Sequence, residues 1–319
     1  MKKLKVGVIG VGYLGKFHAA KYAKMADVDL VAVVDINKAR AVEIARQYGT
    51  TAYFRHQDIA DKVDAVSIVV PTADHFGISK YFLEHDVDVL IEKPMATTIE
   101  EADELIGFAD SRGLLIQVGH LERFNPAVVA LQGIVKKPMF IESHRLSIYQ
   151  PRGTDVSVVL DLMIHDIDII LNYVQSEVKS IHAAGIPVIS RHVDIANARL
   201  EFKSGCVANV TASRISTRKE RKIRMFQRDA YISVDFANHE ITIISQNGSH
   251  GAGIIPGMDI KRLCFTKADA LEDELASFVK AVRNRQPPSV TGQMGRDALS
   301  IALDIMDQIQ ASIKRFLQY

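Results

Sequence analysis

Val6-Gly7-Val8-Ile9-Gly10-Val11-Gly12-Tyr13-Leu14-Gly15 joins a short apolar run to three spaced glycines. Lys5–Ile9 suits a buried parallel strand. Gly10, Gly12 and Gly15 form G-x-G-x-x-G. From Tyr13 the pattern turns helical, with Leu14, Phe17, His18, Tyr22 and Met25 recurring at three- and four-residue steps. In a strand–turn–helix of this kind the first glycine permits the tight turn, the second lets a pyrophosphate approach the backbone, and the third lets helix and strand pack closely. The helix N-terminus adds free N–H groups and a positive dipole end. Gly10, Gly12, Tyr13, Leu14 and Gly15 are therefore candidate cofactor contacts.

A second apolar run, Leu30–Val34, ends in Asp35, twenty residues past the third glycine. That is the spacing of an acid that holds an adenosine ribose. A carboxylate there accepts from both ribose hydroxyls and repels a 2′-phosphate, so the reading is NAD(H) over NADP(H). Lys38 and Arg40 follow closely and soften the contrast. A methyltransferase binding S-adenosylmethionine also uses an acid after its second strand, and it is the rival reading at this point.

At 319 residues the chain is long for one core, and two domains are expected: 1–120 for the cofactor and 121–319 for substrate and oligomerisation. Hydrophobic residues at 48% and charged residues at 24% are ordinary for a globular protein. A net charge of +1 gives no reason to expect nucleic acid or an anionic membrane. Cys206 and Cys264 make no disulfide framework and sit in no metal-ligand spacing, which fits a reducing cytoplasm. Met1-Lys2-Lys3 before an apolar run resembles a signal peptide, but the glycine loop breaks that run. No stretch approaches the length of a membrane span.

Candidate strands Lys5–Ile9, Leu30–Asp35, Ala52–Phe54, Ala65–Val70, Val87–Glu92 and Leu114–Val118 alternate with candidate helices Tyr13–Met25, Lys38–Gln47, Asp74–Glu84 and Ile99–Ser111, the last capped by Thr97 or Thr98. Such alternation means right-handed crossovers and a doubly wound parallel sheet, with ligands at the carboxyl ends of the strands. That rule singles out Val70-Pro71-Thr72, Glu92-Lys93-Pro94 and Gly119-His120. After residue 120 a helix Asn125–Val135 is expected, with Pro126 at its first position. A strand-rich region follows, beginning at Phe140–Tyr149, with Lys203-Ser204-Gly205 as a hairpin turn. Consecutive strands imply an antiparallel sheet. His250–Gly257 reads as a glycine-rich mobile loop, and helices Asp269–Arg285 and Gly295–Leu317 follow it.

Two constellations carry chemistry. Lys93 stands at the end of the fifth strand, where a nicotinamide ring is expected, and can donate a hydrogen bond to a substrate oxygen or share its proton. Pro94 stiffens that turn and raises the prospect of a cis peptide. The second constellation is Asp161-Leu-Met-Ile-His165-Asp166-Ile-Asp168, in an otherwise apolar helix ending near Val174. On an α-helix Asp161, His165, Asp168 and Asn172 form one polar stripe beside Ile164, Ile167 and Leu171. A carboxylate one turn from a histidine orients the imidazole and raises its basicity, as a general base requires. The alternative is a solvated helix face. No second histidine has ligand spacing here, and redox chemistry of this kind needs no metal.

These motifs, in this order and spacing, resemble the glucose–fructose oxidoreductase / inositol dehydrogenase / rhizopine catabolism (Gfo/Idh/MocA) family over nearly the whole chain. The resemblance implies an N-terminal Rossmann domain and a C-terminal α+β domain with a large open-faced antiparallel sheet, assembled as a homodimer or homotetramer. It implies oxidation or reduction of a sugar or cyclitol carbon, with Lys93, Asp161 and His165 at the catalytic positions. Pro71-Thr72 with His75 resembles the family's cofactor-contacting loop, and Glu92 and Lys93 join that set. Many relatives carry a glycine pair shortly before the Asp/His helix, where this chain has Val158-Val159. Val158–Ile170, the run Gly119–Pro126 and the basic stretch Ser213–Lys219 resemble the branch containing UDP-N-acetylglucosamine 3-dehydrogenases. That branch implies Arg123, Asn125, Asp168 and Arg214 as substrate contacts, since arginines suit phosphate oxygens. A basic edge on a solvated strand is the alternative for Arg214–Arg224.

Overall fold

The computed structural model describes residues 2–149, 156–246, 257–266 and 268–316. The chain forms two compact units, Met1–Phe124 with Asp269–Leu299, and Asn125–Ala268 with Ser300–Tyr319.

In the first unit, strands β1 (Leu4–Ile9), β2 (Val28–Val34), β3 (Thr51–Tyr53), β4 (Ala65–Ile68), β5 (Asp88–Glu92) and β6 (Ile116–Gly119) make one sheet in the order β3-β2-β1-β4-β5-β6. Every pair is parallel. Four helices connect them: α1 (Gly15–Tyr22), α2 (Lys38–Tyr48), α3 (Thr72–Glu84) and α4 (Ile99–Arg112). Local chemistry sets their ends. Asn37 accepts from the Arg40 N–H at 3.2 Å to start α2, and Gly49 closes it in the left-handed region. Thr98, not Thr97, caps α4; Glu101 reaches back to the Thr97 N–H at 2.9 Å, a displaced form of the capping box. The strand order reverses between β1 and β4, and ligands of such sheets bind beyond that point.

The chain then returns to this unit. Helix α7 (Ala270–Asn284), capped by Asp269, presents Leu275, Phe278, Val279 and Val282 to the core formed by Val6 and Val8 of β1, Ala19 and Tyr22 of α1, and Leu90 of β5. This corrects the expectation of a single boundary at residue 120. The apolar stripe of α7 has its complement on the first sheet, so sequence order and core membership part company.

The second unit contains a short helix α5 (Pro126–Val129), strand β7 (Phe140–Leu146), helix α6 (Ile164–Val174) and strands β8 (Val178–Ile186), β9 (Ile195–Phe202), β10 (Val207–Ser213), β11 (Glu220–Gln227), β12 (Ala230–Asp235), β13 (Glu240–Gln246) and β14 (Met258–Cys264). They order as β14-β13-β12-β11-β7-β10-β9-β8. The sheet is antiparallel except for β7 and β10, which pair in parallel. Helix α6 lies between β7 and β8 in the chain, and the three-stranded meander β8–β10 that follows brings β10 back beside β7. The helix expected over Asn125–Val135 stops at Val129 and gives way to turns, with Gly133 at φ +80°. Strand β14 escaped the sequence pattern because Asp259, Lys261 and Arg262 are mixed among its apolar residues, as suits an edge strand. Of the expected loop His250–Gly257, all but Gly257 lies outside the described residues.

The last helix, α8, spans Gly292–Phe316. Its Gln308 amide donates to the Ile181 carbonyl at 2.9 Å and accepts from the Ala183 N–H at 3.0 Å, standing in for a strand partner along the edge of β8.

Phe278→Ala should cost about 3–5 kcal/mol in urea unfolding, because a buried aromatic ring leaves a cavity between α7 and the parallel sheet. Lys280→Ala on the exposed face of α7 should change stability by less than about 0.5 kcal/mol. Equal effects would show that α7 is not part of the core.

Candidate functional site

The glycine turn after β1 is forced by contact distances. A Cβ on Gly15 would stand 1.8 Å from the Gly10 carbonyl oxygen, and one on Gly10, at φ +82°, 2.4 Å from the Val69 carbonyl oxygen. Gly12 is different: a Cβ there would meet only Arg40 Nη1, at 3.7 Å, so its backbone is uncovered on that side. Helix α1 starts at Gly15 and carries no acid in its first turn, leaving its positive end unneutralised. Tyr13 is exposed, its ring edge-on to Phe17, and Leu14 is half-buried.

Asp35 closes the site from β2. One carboxylate oxygen accepts from the Val11 N–H at 3.0 Å and the other from the Asn37 N–H at 2.8 Å. Two oxygens offer about four acceptor positions, so ribose hydroxyls can still be bound. Arg40 Nη1 stands 3.7 Å from Asp35, as its place in the sequence suggested. The uncovered Gly12, the helix end and the Asp35 carboxylate fit a dinucleotide: they would hold its pyrophosphate and its adenosine ribose.

Beyond β4 and β5, His75 ties two loops together. Its Nδ1 lies 2.9 Å from the Pro94 carbonyl and its Nε2 2.9 Å from the Val70 carbonyl. Burial pushes the imidazole below its ordinary value, against the pull of those two carbonyls. A neutral ring carries one N–H and donates to one carbonyl at a time. The ring is 1% exposed, so the structure shows His75 holding the Val70 and Pro94 turns in place. Thr72 opens α3, half-buried. The Lys93–Pro94 peptide is cis. Lys93 is half-buried, and its backbone N–H donates to Glu92 Oε2 at 3.3 Å. Arg123 is half-buried in the 3₁₀ turn Leu121–Phe124 of this unit.

In the second unit the polar stripe is not carried on a regular α-helix. Val159–Met163 is a π-helical turn that runs into α6. π-Turns widen the helix by one residue and are frequent at functional sites. Asp161 sits in that turn and His165 in the first turn of α6, both half-buried. Asp168, expected on the same open stripe, is 2% exposed.

What anchors α6 is Asp166, to which the sequence reading gave no role. Arg145 of β7 donates to it from Nε at 3.0 Å and Nη2 at 2.7 Å, both side chains buried. A second anchor holds the entry to the π-turn. Arg214 is 5% exposed, and its Nη2 donates to the Val156 carbonyl while its Nε lies 3.9 Å from Asp194. Burial alone would raise the Asp194 carboxyl. The Ser190 hydroxyl and the N–H groups of Ser190, Ile189 and Val188 outweigh that and hold it well below the usual carboxylate range. The basic edge read over Arg214–Arg224 thus begins with a buried anchor. Asn125 is buried as the N-cap of α5, accepting from the Ala127 N–H at 3.0 Å. Among the described residues no group of three or more His, Cys, Asp or Glu is placed to hold a metal ion. No described helix is long and apolar enough to cross a membrane.

A doubly wound parallel sheet with a glycine turn, a ribose acid and a lysine at a strand end defines an NAD-binding oxidoreductase. Residues 4–120 match the Gfo/Idh/MocA oxidoreductase family, NAD-binding Rossmann fold, and residues 130–244 match the Gfo/Idh/MocA C-terminal domain. The UDP-N-acetylglucosamine 3-dehydrogenase of Acidithiobacillus ferrooxidans is 38% identical over 322 residues, covering 100% of both chains. A solved structure of that enzyme superposes with a TM-score of 0.92 over 98% of this chain and 99% of the other, at 37% identity. The scyllo-inositol 2-dehydrogenase (NAD⁺) of Bacillus subtilis is 28% identical over 91% of this chain and 89% of its own. The chain belongs to the Gfo/Idh/MocA family of NAD-dependent oxidoreductases.

NAD⁺ should bind more tightly than NADP⁺ in calorimetric titration, and Asp35→Ala should narrow the gap, because the carboxylate opposes a 2′-phosphate. Tighter binding of NADP⁺ by the unaltered protein would refute the role of Asp35. Arg145→Met should cost about 3–5 kcal/mol in chemical unfolding, since it leaves the Asp166 charge buried alone.

Proposed function

We propose that the protein is an NAD-dependent dehydrogenase of a nucleotide-activated amino sugar, transferring hydride between the 3-position of UDP-N-acetylglucosamine and nicotinamide. The observation that carries this is the full-length identity to the Acidithiobacillus enzyme, higher than to the inositol dehydrogenase. When bound, the nicotinamide supplies the hydride acceptor. His165 takes the proton of the sugar hydroxyl as general base. The Lys93 ammonium stabilises the oxygen as negative charge develops on it. Asp161, in the π-turn before His165, orients the imidazole. Arg123, Asn125 and Asp168 contribute to the sugar and phosphate contacts. The enzyme acts as a cytoplasmic homodimer or homotetramer.

His165→Ala and Lys93→Ala should each lose roughly 10²-fold or more in kcat, the usual scale of acid–base catalysis, while NADH binding survives. Asp161→Ala should lose less. The Lys93/His165 double variant should lose less than the product of the single losses, because residues acting as a unit are not additive.

UDP alone should compete with the nucleotide sugar in a spectrophotometric NADH assay. Fast turnover of free inositol or glucose with no effect of UDP would establish a free-cyclitol or free-sugar dehydrogenase instead.

A further inference from the structure

Beneath the Glu92-Lys93-Pro94 turn lies a group of buried polar side chains that the chemistry above does not use. Glu274 of α7 is 0% exposed, and neither carboxylate oxygen has a hydrogen-bond partner among the described residues. A lone ionised carboxylate in such a place is costly, and the group takes up a proton instead. The Glu92 charge on β5 adds to that, so burial first and Glu92 second push Glu274 well above the ordinary glutamate value.

Glu92 is held from three sides. His18 of α1, 0% exposed, places Nε2 3.3 Å from Glu92 Oε1, an electrostatic contact rather than an aligned hydrogen bond. The Lys93 N–H donates to Oε2. Gly119 of β6 lies under the carboxylate, where a Cβ would come within 2.9 Å of it. On the same layer Gln117 donates its amide to the Glu274 carbonyl at 3.1 Å. Tyr22 of α1 bonds Ser67 at 2.8 Å, and its phenol is pushed up by burial and by Glu274. Other titratable groups on elements packed against α7 are Lys16 of α1, which is exposed, and His120, Glu122 and Arg123 after β6. Lys21 pairs with Asp269 and Glu272, and Asp27 with Arg283, towards the two ends of α7, while the buried Asp88 pairs with Arg285 just past it.

We propose that Glu274, uncharged, is a positioning residue for the Glu92-Lys93-Pro94 turn: its proton keeps a second negative charge away from Glu92, which is bound to His18 and to the Lys93 N–H. Ionisation of Glu274 sets a second negative charge against Glu92 and loosens the segment that aims Lys93. The inference rests on Lys93 taking part in the proposed chemistry.

The sign of the pH effect follows from linkage. A carboxyl raised on folding stabilises the folded chain below the ordinary glutamate value, and that contribution is lost as pH rises toward the folded value. Glu274→Gln keeps the shape and removes the titration. The ratio of unfolding constants, wild type over Gln variant, should therefore grow about tenfold per pH unit across that window. The infrared carbonyl band of a protonated carboxyl should be present at neutral pH in the wild type and absent from the variant. Parallel stability curves without that band would overturn the protonation.

Positioning is read without substrate, from acylation of Lys93 by acetic anhydride followed by mass spectrometry. Its rate should step upward at alkaline pH in the wild type beyond the rise of an ordinary lysine, and the step should vanish in the Gln variant. In turnover, Glu274→Ala should lose about tenfold in kcat with NADH binding kept, and Glu274→Gln should regain most of it. Superimposable acylation profiles for wild type and Gln variant would reduce Glu274 to a packing role. Failure of every sugar to react would count against the proposed function and leave the infrared, stability and acylation results to judge this inference.

Discussion

Gly15 packs against the Gly10 carbonyl so closely that no side chain fits there. That contact sets the first turn of α1 directly against the end of β1. It leaves Gly12 uncovered, aims the start of α1 outward, and lets Asp35 reach the Val11 N–H from the neighbouring strand. It also brings His18 and Tyr22 down onto the sheet as buried residues. Helix α7 then closes over α1 and the sheet, burying Glu274 in the same layer. The NAD-binding turn and the buried acid layer follow from the same packing of α1.

The second unit is organised by a different constraint. A helix rich in isoleucine packs on a sheet with little to fix its rotation, because apolar contacts are non-directional. The buried Arg145–Asp166 pair supplies direction: two parallel hydrogen bonds between a planar guanidinium and a carboxylate allow one orientation. His165 immediately precedes Asp166 in the chain, so the pair fixes where its imidazole starts. Arg214 and Asp194 do the same for the chain entering the π-turn. Several charged residues that look like ligands for an outside molecule are thus holding the residues that could react.

Much of the first unit was legible because its signals are local. A strand, a turn and a helix cap each depend on neighbours within a few residues, and period and glycine spacing report them directly. Asn37, Thr98 and Asp269 cap the helices they precede. The parallel pairing of β7 with β10 was not legible, since it depends on where the β8–β10 meander lands after α6. The π-turn was not legible either, because Val158–Ile170 satisfies an α-helical period almost as well.

The sequence by itself determined the NAD-binding turn, its acid partner, the alternation of the first six strands, and the residue types at Lys93, Asp161 and His165. Those are properties of short windows. Tertiary structure alone decided that Asp269–Leu299 joins the first unit, that Arg214 and Asp166 are buried anchors, and that Glu274 sits without a donor near Glu92. Glu274 was visible in the sequence as an acid on the apolar stripe of its helix, between Leu271 and Phe278. Whether such a charge faces water or a core depends on what packs against the stripe. That is set by chain segments some 150 residues or more away in sequence, to which no local period is sensitive.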